Sequence, residues 1–410
     1  MKVLSVSMKF PTLLQTWFVN YLESVSNFSN QVEVLSLLAG EEPYDSRIDT
    51  LSINAVHNSR FGKKLESVRG LLYLLRNLTD PRTKRFLKST LFNKMPLKDK
   101  LLGLQFASFL TINQPDIIHC HSEKAAYRFL GLLNALDCPL CLTFHGLPPD
   151  GVRDLTDEQR NTLYSSIDTV VANTEFAKQQ CLELAGVKKE IRVIPQGICV
   201  KDFSYNPNPS PRNGKYIALT VGRLDRLKGH FSAISAIKQL LQKGINIEYW
   251  IVGLGLYEAS IKEKINLMEM NENVRLFGVK SGEELKEIYQ QAHFFILPSI
   301  TEPGLWAETQ GIVVQEAQAS GTLAICSESG GIPECVDDGK DGFLYKPGCS
   351  EELAKVLSFL IDNPSHWRDW QDNARRKVEK DYSLIKMETN LKTLYEDLKD
   401  TSNRLEPALP

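Results

Sequence analysis

A chain of 410 residues with 42% hydrophobic and 24% charged residues has the make-up of folded domains, not of a fibrous or disordered polymer. Its formal net charge of −2 gives no bulk electrostatic reason to bind nucleic acid, and no nucleic-acid partner is expected. At roughly 150 residues per domain, the length predicts two or three domains, each with its own core.

The amino-terminal run MKVLSVSMKF lacks the long apolar stretch and small-residue cleavage site of a secretory signal. No run approaches ~18 apolar residues, so no bilayer-spanning helix is predicted. Eight cysteines occur without framework spacing, which suits reduced thiols and a cytoplasmic location. Cys138 and Cys141 form the lone C-x-x-C, inside an apolar run that reads as a strand. A zinc or redox pair would need a second pair or a following helix start.

Short apolar runs recur through the first half: VLSV, VEVLSLL, DIIHCH, CPLCLTFHG, DTVVANT and IRVIPQG. Amphipathic segments separate them. That alternation predicts a parallel sheet covered on both faces. His119 and His121 share one strand face, where packing or a strand-end hydrogen bond is the simpler reading than a metal site, and no metal is expected.

Residues 58–100 stand out by charge, with twelve Lys/Arg against three Asp/Glu. Leu71 to Leu75, Phe86, Leu87, Leu91 and Phe92 interleave with the cations, as in helices that lie on anionic membranes. A basic helix face in solvent has a similar composition.

NPNPSPRNGK, from Asn206 to Lys215, can join neither helix nor sheet and marks a domain boundary. Beyond it the alternation restarts with strands YIALTVG, IEYWIVG, VRLFG, HFFILPS, LAICSESG and GFLY. Helices are predicted over 232–243, 257–268, 283–291, 313–319 and 351–361. The chain therefore divides into an N-terminal α/β domain, 1–205, and a second one, 206–383. A last amphipathic helix over 384–400 carries Leu384, Met387, Leu391, Leu394 and Leu398 on one face. Residues 402–410 read as a frayed tail. In doubly wound sheets ligands gather at the carboxyl ends of the strands, where the chemically suggestive loops of this chain lie.

The first such loop is GRLDRLKGH, Gly222 to His230. Gly222 and Gly229 allow a turn that brings Arg223 and Lys228 together, a fork and a point charge suited to adjacent phosphates. A solvated basic turn with Asp225 neutralising one charge is the plainer alternative. The second is LPSITEPGLWAETQGIVVQEAQASG, where Glu308 precedes a helix start near Ile312 and Glu316 lies about one turn inside it. Backbone N–H groups at such a start make an anion site, and a carboxylate there can accept hydrogen bonds from vicinal hydroxyls.

GRLDRLKGH, IVGLGLYE, VRLFGVKSGEEL, ILPS, Glu308-x7-Glu316, EAQASG and ESGGIPECVDDGKDGFLY together resemble retaining GT-B glycosyltransferases of family 4 (GT4), of the exopolysaccharide and colanic-acid type. VIPQGICVKDF resembles the segment that closes the first domain of that family. KFPTLLQTWFVNYL, DIIHCH and LTFHG are similar to its N-terminal motifs. Leu14-Gln15-Thr16-Trp17 stands where relatives carry a Ser-Glu-Thr-Phe-like run, without its acidic residue, and the Gly-Gly loop of many members is missing.

The resemblance implies two Rossmann-like domains facing across a cleft, with the last helix crossing back to brace the first. It implies a metal-independent hexosyltransferase that moves a sugar from a nucleoside-diphosphate sugar, a UDP-sugar favoured, to a glycan or lipid-linked acceptor, with no further cofactor. Arg223 and Lys228 would hold the diphosphate and Glu316 the ribose. Glu308 would reach the transferred sugar and His145 would face it from the first domain. The backbone around Phe277 and Val279 would receive the base, and Gly253, Gly311, Ile312 and Val313 would line the donor. Docking on the cytoplasmic face of a membrane through residues 58–100 is part of the same expectation. A non-catalytic partner subunit of the same fold is the alternative, although such subunits usually lose the cations or the ribose glutamate. A dehydrogenase would need G-x-G-x-x-G after the first strand, and the chain has none there.

Overall fold

Two wholly parallel sheets organise the chain. The computed structural model describes all residues except 13–14, 41–45, 59–63, 92–95, 108–113, 148–153, 186, 188, 208–210, 212–213, 302–306 and 406–410. The first sheet contains β1 (Lys2–Phe10), β2 (Gln31–Ala39), β3 (Ile53–Asn58), β4 (Ile117–Cys120), β5 (Leu140–Phe144), β6 (Thr169–Ala172) and β7 (Ile191–Val193). Its strand order is β3-β2-β1-β4-β5-β6-β7. Helices α1 (Thr16–Phe28), α5 (Glu123–Leu136), α6 (Asp157–Ser166) and α7 (Glu175–Ala185) form crossovers. Three more, α2 (Lys64–Arg76), α3 (Pro81–Phe86) and α4 (Leu97–Gln105), sit between β3 and β4.

The second sheet holds β8 (Tyr216–Val221), β9 (Ile247–Val252), β10 (Val274–Leu276), β11 (Phe294–Leu297), β12 (Leu323–Ser327) and β13 (Phe343–Tyr345), in the order β10-β9-β8-β11-β12-β13. Helices α8 (His230–Gln242), α9 (Glu258–Leu267), α10 (Gly282–Gln291), α11 (Ile312–Ser320), α12 (Ile332–Cys335) and α13 (Ser350–Asp362) accompany it. Then α14 (Trp367–Asp381) and α15 (Leu384–Leu405) complete the described chain. In each sheet the order reverses once, between β1 and β4 and between β8 and β11. The crevice at a reversal is where this topology receives ligands.

The strands form where the sequence offers short apolar runs. β5 and β11 are buried along their whole length, as parallel strands covered on both faces must be. Helix starts follow local chemistry. Ser122 accepts a hydrogen bond from the Ala125 N–H, and Thr156 and Gln159 close a reciprocal capping box. Gly229, in the left-handed region at φ 67°, turns the chain early, so α8 begins at His230, two residues before the predicted start. A Cβ there would lie 1.8 Å from the Pro298 carbonyl oxygen. Only glycine allows that approach.

Strand β3 was not legible in the sequence. INAVHN is short and half polar, and it forms only because it adds to the exposed edge of β2. Cys138 falls outside β5 while Cys141 lies in it, and burial pushes the Cys138 thiol up to about 12. Phe86 is fully buried and joins the core of the first sheet, so it does not share a surface with the surrounding cations. Leu87 also packs against that core, and Phe92 lies outside the described residues.

The two halves are joined in several places. Ile198 forms a parallel bridge with Ser383, just before α15. Leu384, Met387, Leu391, Leu394, Tyr395 and Leu398 of α15 pack into one cluster with Val3, Phe10, Phe18 and Leu22. Each such buried side chain contributes about 1.5–3 kcal/mol. A buried polar chain runs through this contact. The Tyr395 hydroxyl lies 2.9 Å from that of Tyr21 and 2.7 Å from His119 Nδ1, while His119 Nε2 meets Thr143 Oγ1 at 2.7 Å. Burial holds the His119 imidazole down to about 3, so it is neutral near pH 7.

Candidate active site

A cleft of about 590 Å³ opens at the carboxyl ends of β8 and β9. Arg223, Gly253, Val279, Val313 and Glu316 line it, five of the residues that the sequence singled out. Gly253 is needed where it stands. It adopts φ 145°, and a Cβ there would fall 1.8 Å from the Gly222 carbonyl oxygen, so two strand-end loops touch through glycine.

Glu316 sits early in α11, only 8% exposed, and its Oε2 accepts a hydrogen bond from the Tyr289 hydroxyl at 2.8 Å. Burial raises its carboxyl to about 7, opposed by the Tyr289 hydrogen bond and by the charge of Arg47. Near neutral pH it is therefore poised between acid and carboxylate, able to meet either a donor or an acceptor.

The two loop cations do not converge freely. Arg223 Nη2 pairs with Asp225 Oδ2 at 3.1 Å and is half exposed at the mouth of the cleft. Lys228 Nζ pairs with Glu308 Oε2 at 2.5 Å, with the two side chains 12% and 13% exposed. Ser299 Oγ donates to the same carboxylate oxygen at 3.1 Å. Asp225 also caps the turn by accepting the Lys228 N–H. The Lys228 stem runs beside Gly222, where a Cβ would sit 3.9 Å from its Cε, so the pair lies next to the cleft.

Gly311, at φ 74°, introduces α11, and Ile312 packs against the second core while Val313 reaches the cleft. Phe277 is placed differently from the expectation. Its ring packs against Trp250 at 5.1 Å, and its N–H donates to the Ile251 carbonyl oxygen. That N–H is used by the sheet, and Phe277 does not itself line the cleft. Val279 to Glu283, Leu285 and Lys286 line the cleft beside it.

His145 follows β5 and is half-buried. Burial takes its imidazole down to about 4, leaving it neutral at pH 7. Trp17 lies over it at 4.1 Å between ring centroids, and Gln196 Nε2 lies 3.3 Å from its Nδ1. His145 does not line the cleft itself. Its neighbour Gly146 abuts Thr309, beside Glu308, where a Cβ would meet Thr309 Cγ2 at 2.5 Å. The first half also grips this loop directly, through Thr174 Oγ1 donating to the Thr309 carbonyl oxygen at 2.7 Å. Gln196 and Gln310 exchange two hydrogen bonds, at 2.8 and 2.9 Å. Residues 302–306 of the quoted loop lie outside the described residues.

Seven residues of the first half line the cleft, Thr16, Asn20, Arg47, Ile198, Cys199, Asp202 and Phe203, and none of them was among the predicted site residues. Arg47 Nη1 donates to Asn20 Oδ1 at 2.8 Å, and Asn20 Nδ2 donates to the Gly197 carbonyl oxygen at 2.9 Å. Asn20, a buried amide within the apolar TWFVNYL helix, was a detectable signal. Arg47, a single arginine in a short 3-10 turn, gave none.

Comparison with known proteins fits this arrangement. A family model described as glycosyltransferase family 4 matches residues 32–202, and one described as glycosyl transferases group 1 matches residues 204–377. The chain belongs to glycosyltransferase family 4. It is 24% identical over 397 residues to AmsK of Erwinia amylovora, an amylovoran biosynthesis glycosyltransferase, covering 93% of this chain and 96% of that one. It is 26% identical over 306 residues to a glycogen synthase of Mycobacterium tuberculosis, 72% of each chain. Among solved structures, the sucrose-phosphate synthase of Thermosynechococcus elongatus superposes with a TM-score of 0.75 at 17% identity, covering 98% and 100% of the two chains. Anabaena HepE in complex with UDP and glucose gives 0.73 at 15% identity, covering 97% and 100%. The fold of this family-4 glycosyltransferase is thus GT-B, two Rossmann-like units with a cleft between them.

Proposed function

We propose that the chain transfers a hexose, with retention of configuration, from a nucleoside-diphosphate sugar to a glycan or lipid-linked saccharide in surface polysaccharide synthesis. The observation that carries this reading is the cleft itself, with Arg223 at its mouth and the Glu316 carboxyl on its α11 wall. UDP is the favoured nucleotide, because structural neighbours hold UDP in the same fold. The relative named for amylovoran synthesis supports a polysaccharide acceptor.

In this reading Arg223 and Lys228 bind the diphosphate, with the start of α11 at Gly311, Ile312 and Val313 behind it. As the bond from the sugar C1 to the phosphate oxygen breaks, negative charge grows on the diphosphate. The fixed cations and helix N–H groups stabilise that charge without a metal ion. Lys228 exchanges its Glu308 partner for phosphate, which leaves Glu308 able to meet the sugar. The acceptor oxygen attacks C1 from the face the diphosphate leaves, and its proton passes to a phosphate oxygen. Neutral His145 offers a hydrogen bond from the first domain and carries no charge to compete with the leaving group. Glu316 accepts the ribose hydroxyls, and Val279–Lys286 receive the base.

Melting the protein with UDP, GDP and ADP, then with their sugars, tests the donor. A ligand at 100 times its dissociation constant stabilises by ~2.7 kcal/mol, a readable shift. UDP is expected to give the largest shift, and a UDP-sugar to be turned over with a polysaccharide precursor. Absence of any shift would sink the reading. Binding without turnover on any acceptor would favour a non-catalytic subunit.

A further inference from the structure

Helix α2 turns an apolar face to water. Val68, Leu71, Leu72 and Leu75 fall at i, i+3, i+4 and i+7, one stripe of a helix, and are 52%, 43%, 49% and 55% exposed. Such a stripe ordinarily faces a core. Here the inward side is already taken, because Leu74 is 1% exposed and a Cβ on Gly70 would lie 1.8 Å from the Leu104 carbonyl oxygen. α2 is thus locked against α4 and cannot roll its stripe inward. Leu78 after α2, and Leu97 and Leu101 on α4, extend the patch at 48%, 72% and 42%. Eight of the thirteen exposed large hydrophobic residues in the described chain fall between Val56 and Leu101, so this is a concentrated patch and not the usual scatter.

Cations surround it. Arg69, Arg76 and Lys98 are exposed on the same two helices, and Lys84 and Lys88 follow nearby. None of the five has an acidic partner among the described residues, whereas Arg85 is paired with Asp137 at 2.6 Å. Residues 58–100 carry a net +9 in a chain of net −2. A leucine stripe alone would suit a partner helix equally well. Unpaired cations on the same helices suit a surface of uniform negative charge.

We propose that the outer face of α2 and α4 seats this protein on an anionic lipid bilayer, with the leucines entering the headgroup boundary and the cations meeting phosphate groups. The seat lies on α2 and α4, not on Phe86 and Leu87, whose side chains face the core. It is independent of the cleft, so vesicle binding tests it without turnover.

The full chain is sedimented with vesicles of phosphatidylcholine alone and of phosphatidylcholine mixed equally with phosphatidylglycerol. Binding is expected only to the mixed vesicles, weakening as salt is raised. Arg69→Glu, Arg76→Glu and Lys98→Glu together should lower partitioning by about two orders of magnitude, at about 1 kcal/mol for each cation near the surface. Leu71→Ser, Leu72→Ser and Leu75→Ser together should also release the protein, with an unchanged circular-dichroism melt as the control for folding. Equal binding to neutral vesicles, or undiminished binding by the charge-reversed variant, would overturn the proposal. So would a wild-type dimer that ignores vesicles and dissociates in the serine variant, since the occupant would then be a second copy of the chain.

Discussion

Lys228 and Glu308 hold each other at 2.5 Å although they lie eighty residues apart, and Ser299 completes the site on the carboxylate. Removing the lysine therefore does more than remove a phosphate ligand. It strands a mostly buried carboxylate, a loss of about 3–5 kcal/mol when a buried pair is broken on one side.

Lys228→Ala should consequently lower both stability and nucleotide affinity, the latter by one to two decades if a charged hydrogen bond of roughly 1.5–3 kcal/mol is lost. Adding Glu308→Gln should restore stability in part without restoring affinity. A double-mutant cycle read by chemical denaturation checks the first half, and calorimetry with UDP the second. A double variant no more stable than Lys228→Ala would mean that the pair contributes no coupling.

Glu316 predicts a pH dependence with a definite sign. Its carboxyl titrates near 7 in the folded chain, against about 4.3 unfolded, so between those values the native state holds the extra proton. Stability then falls as pH rises through that window, by on the order of 3 kcal/mol from this group. Glu316→Gln should be more stable than the parent protein at pH 8, with the gap closing by pH 4. Tyr289→Phe should move the midpoint upward, because the hydroxyl bond favours the carboxylate. Melting curves across pH check both, and a constant gap would refute the assignment.

Arg47 approaches the same carboxyl from the first half of the chain, and its charge lowers the Glu316 pKa. Arg47→Ala should weaken UDP binding by about tenfold, the scale of one charged contact. It should also raise the pH at which binding responds to Glu316. Calorimetry with UDP at several pH values reads both effects. A change in affinity with no change in midpoint would restrict Arg47 to holding Asn20 and α1.

Much of this was legible in the sequence because apolar runs and glycine-bounded loops are local signals. VLSV, DIIHCH and YIALTV became β1, β4 and β8, and Arg223 and Glu316 reached one cleft, because strand ends in parallel sheets gather their loops on one side. What failed depends on partners distant in sequence. β3 needs the edge of β2, the occupied Phe277 amide is known only from its pairing with Ile251, and Arg47 gains meaning only opposite Glu316. The Lys228–Glu308 pair is hidden for the same reason: eighty residues separate the two along the chain, and only the fold brings them together.

The packing of α15 against β1 and α1 has a consequence for synthesis. Val3, Phe18 and Leu22 are made long before Leu391, Leu394 and Leu398, which complete their buried environment. At ribosomal speeds of roughly 5–20 residues per second, these apolar groups wait tens of seconds for their final neighbours. The amino-terminal half is therefore incomplete while the second sheet is assembling. Cutting the chain at the Asn206–Lys215 segment should yield an amino-terminal fragment that aggregates, and supplying α15 as a separate peptide should rescue it.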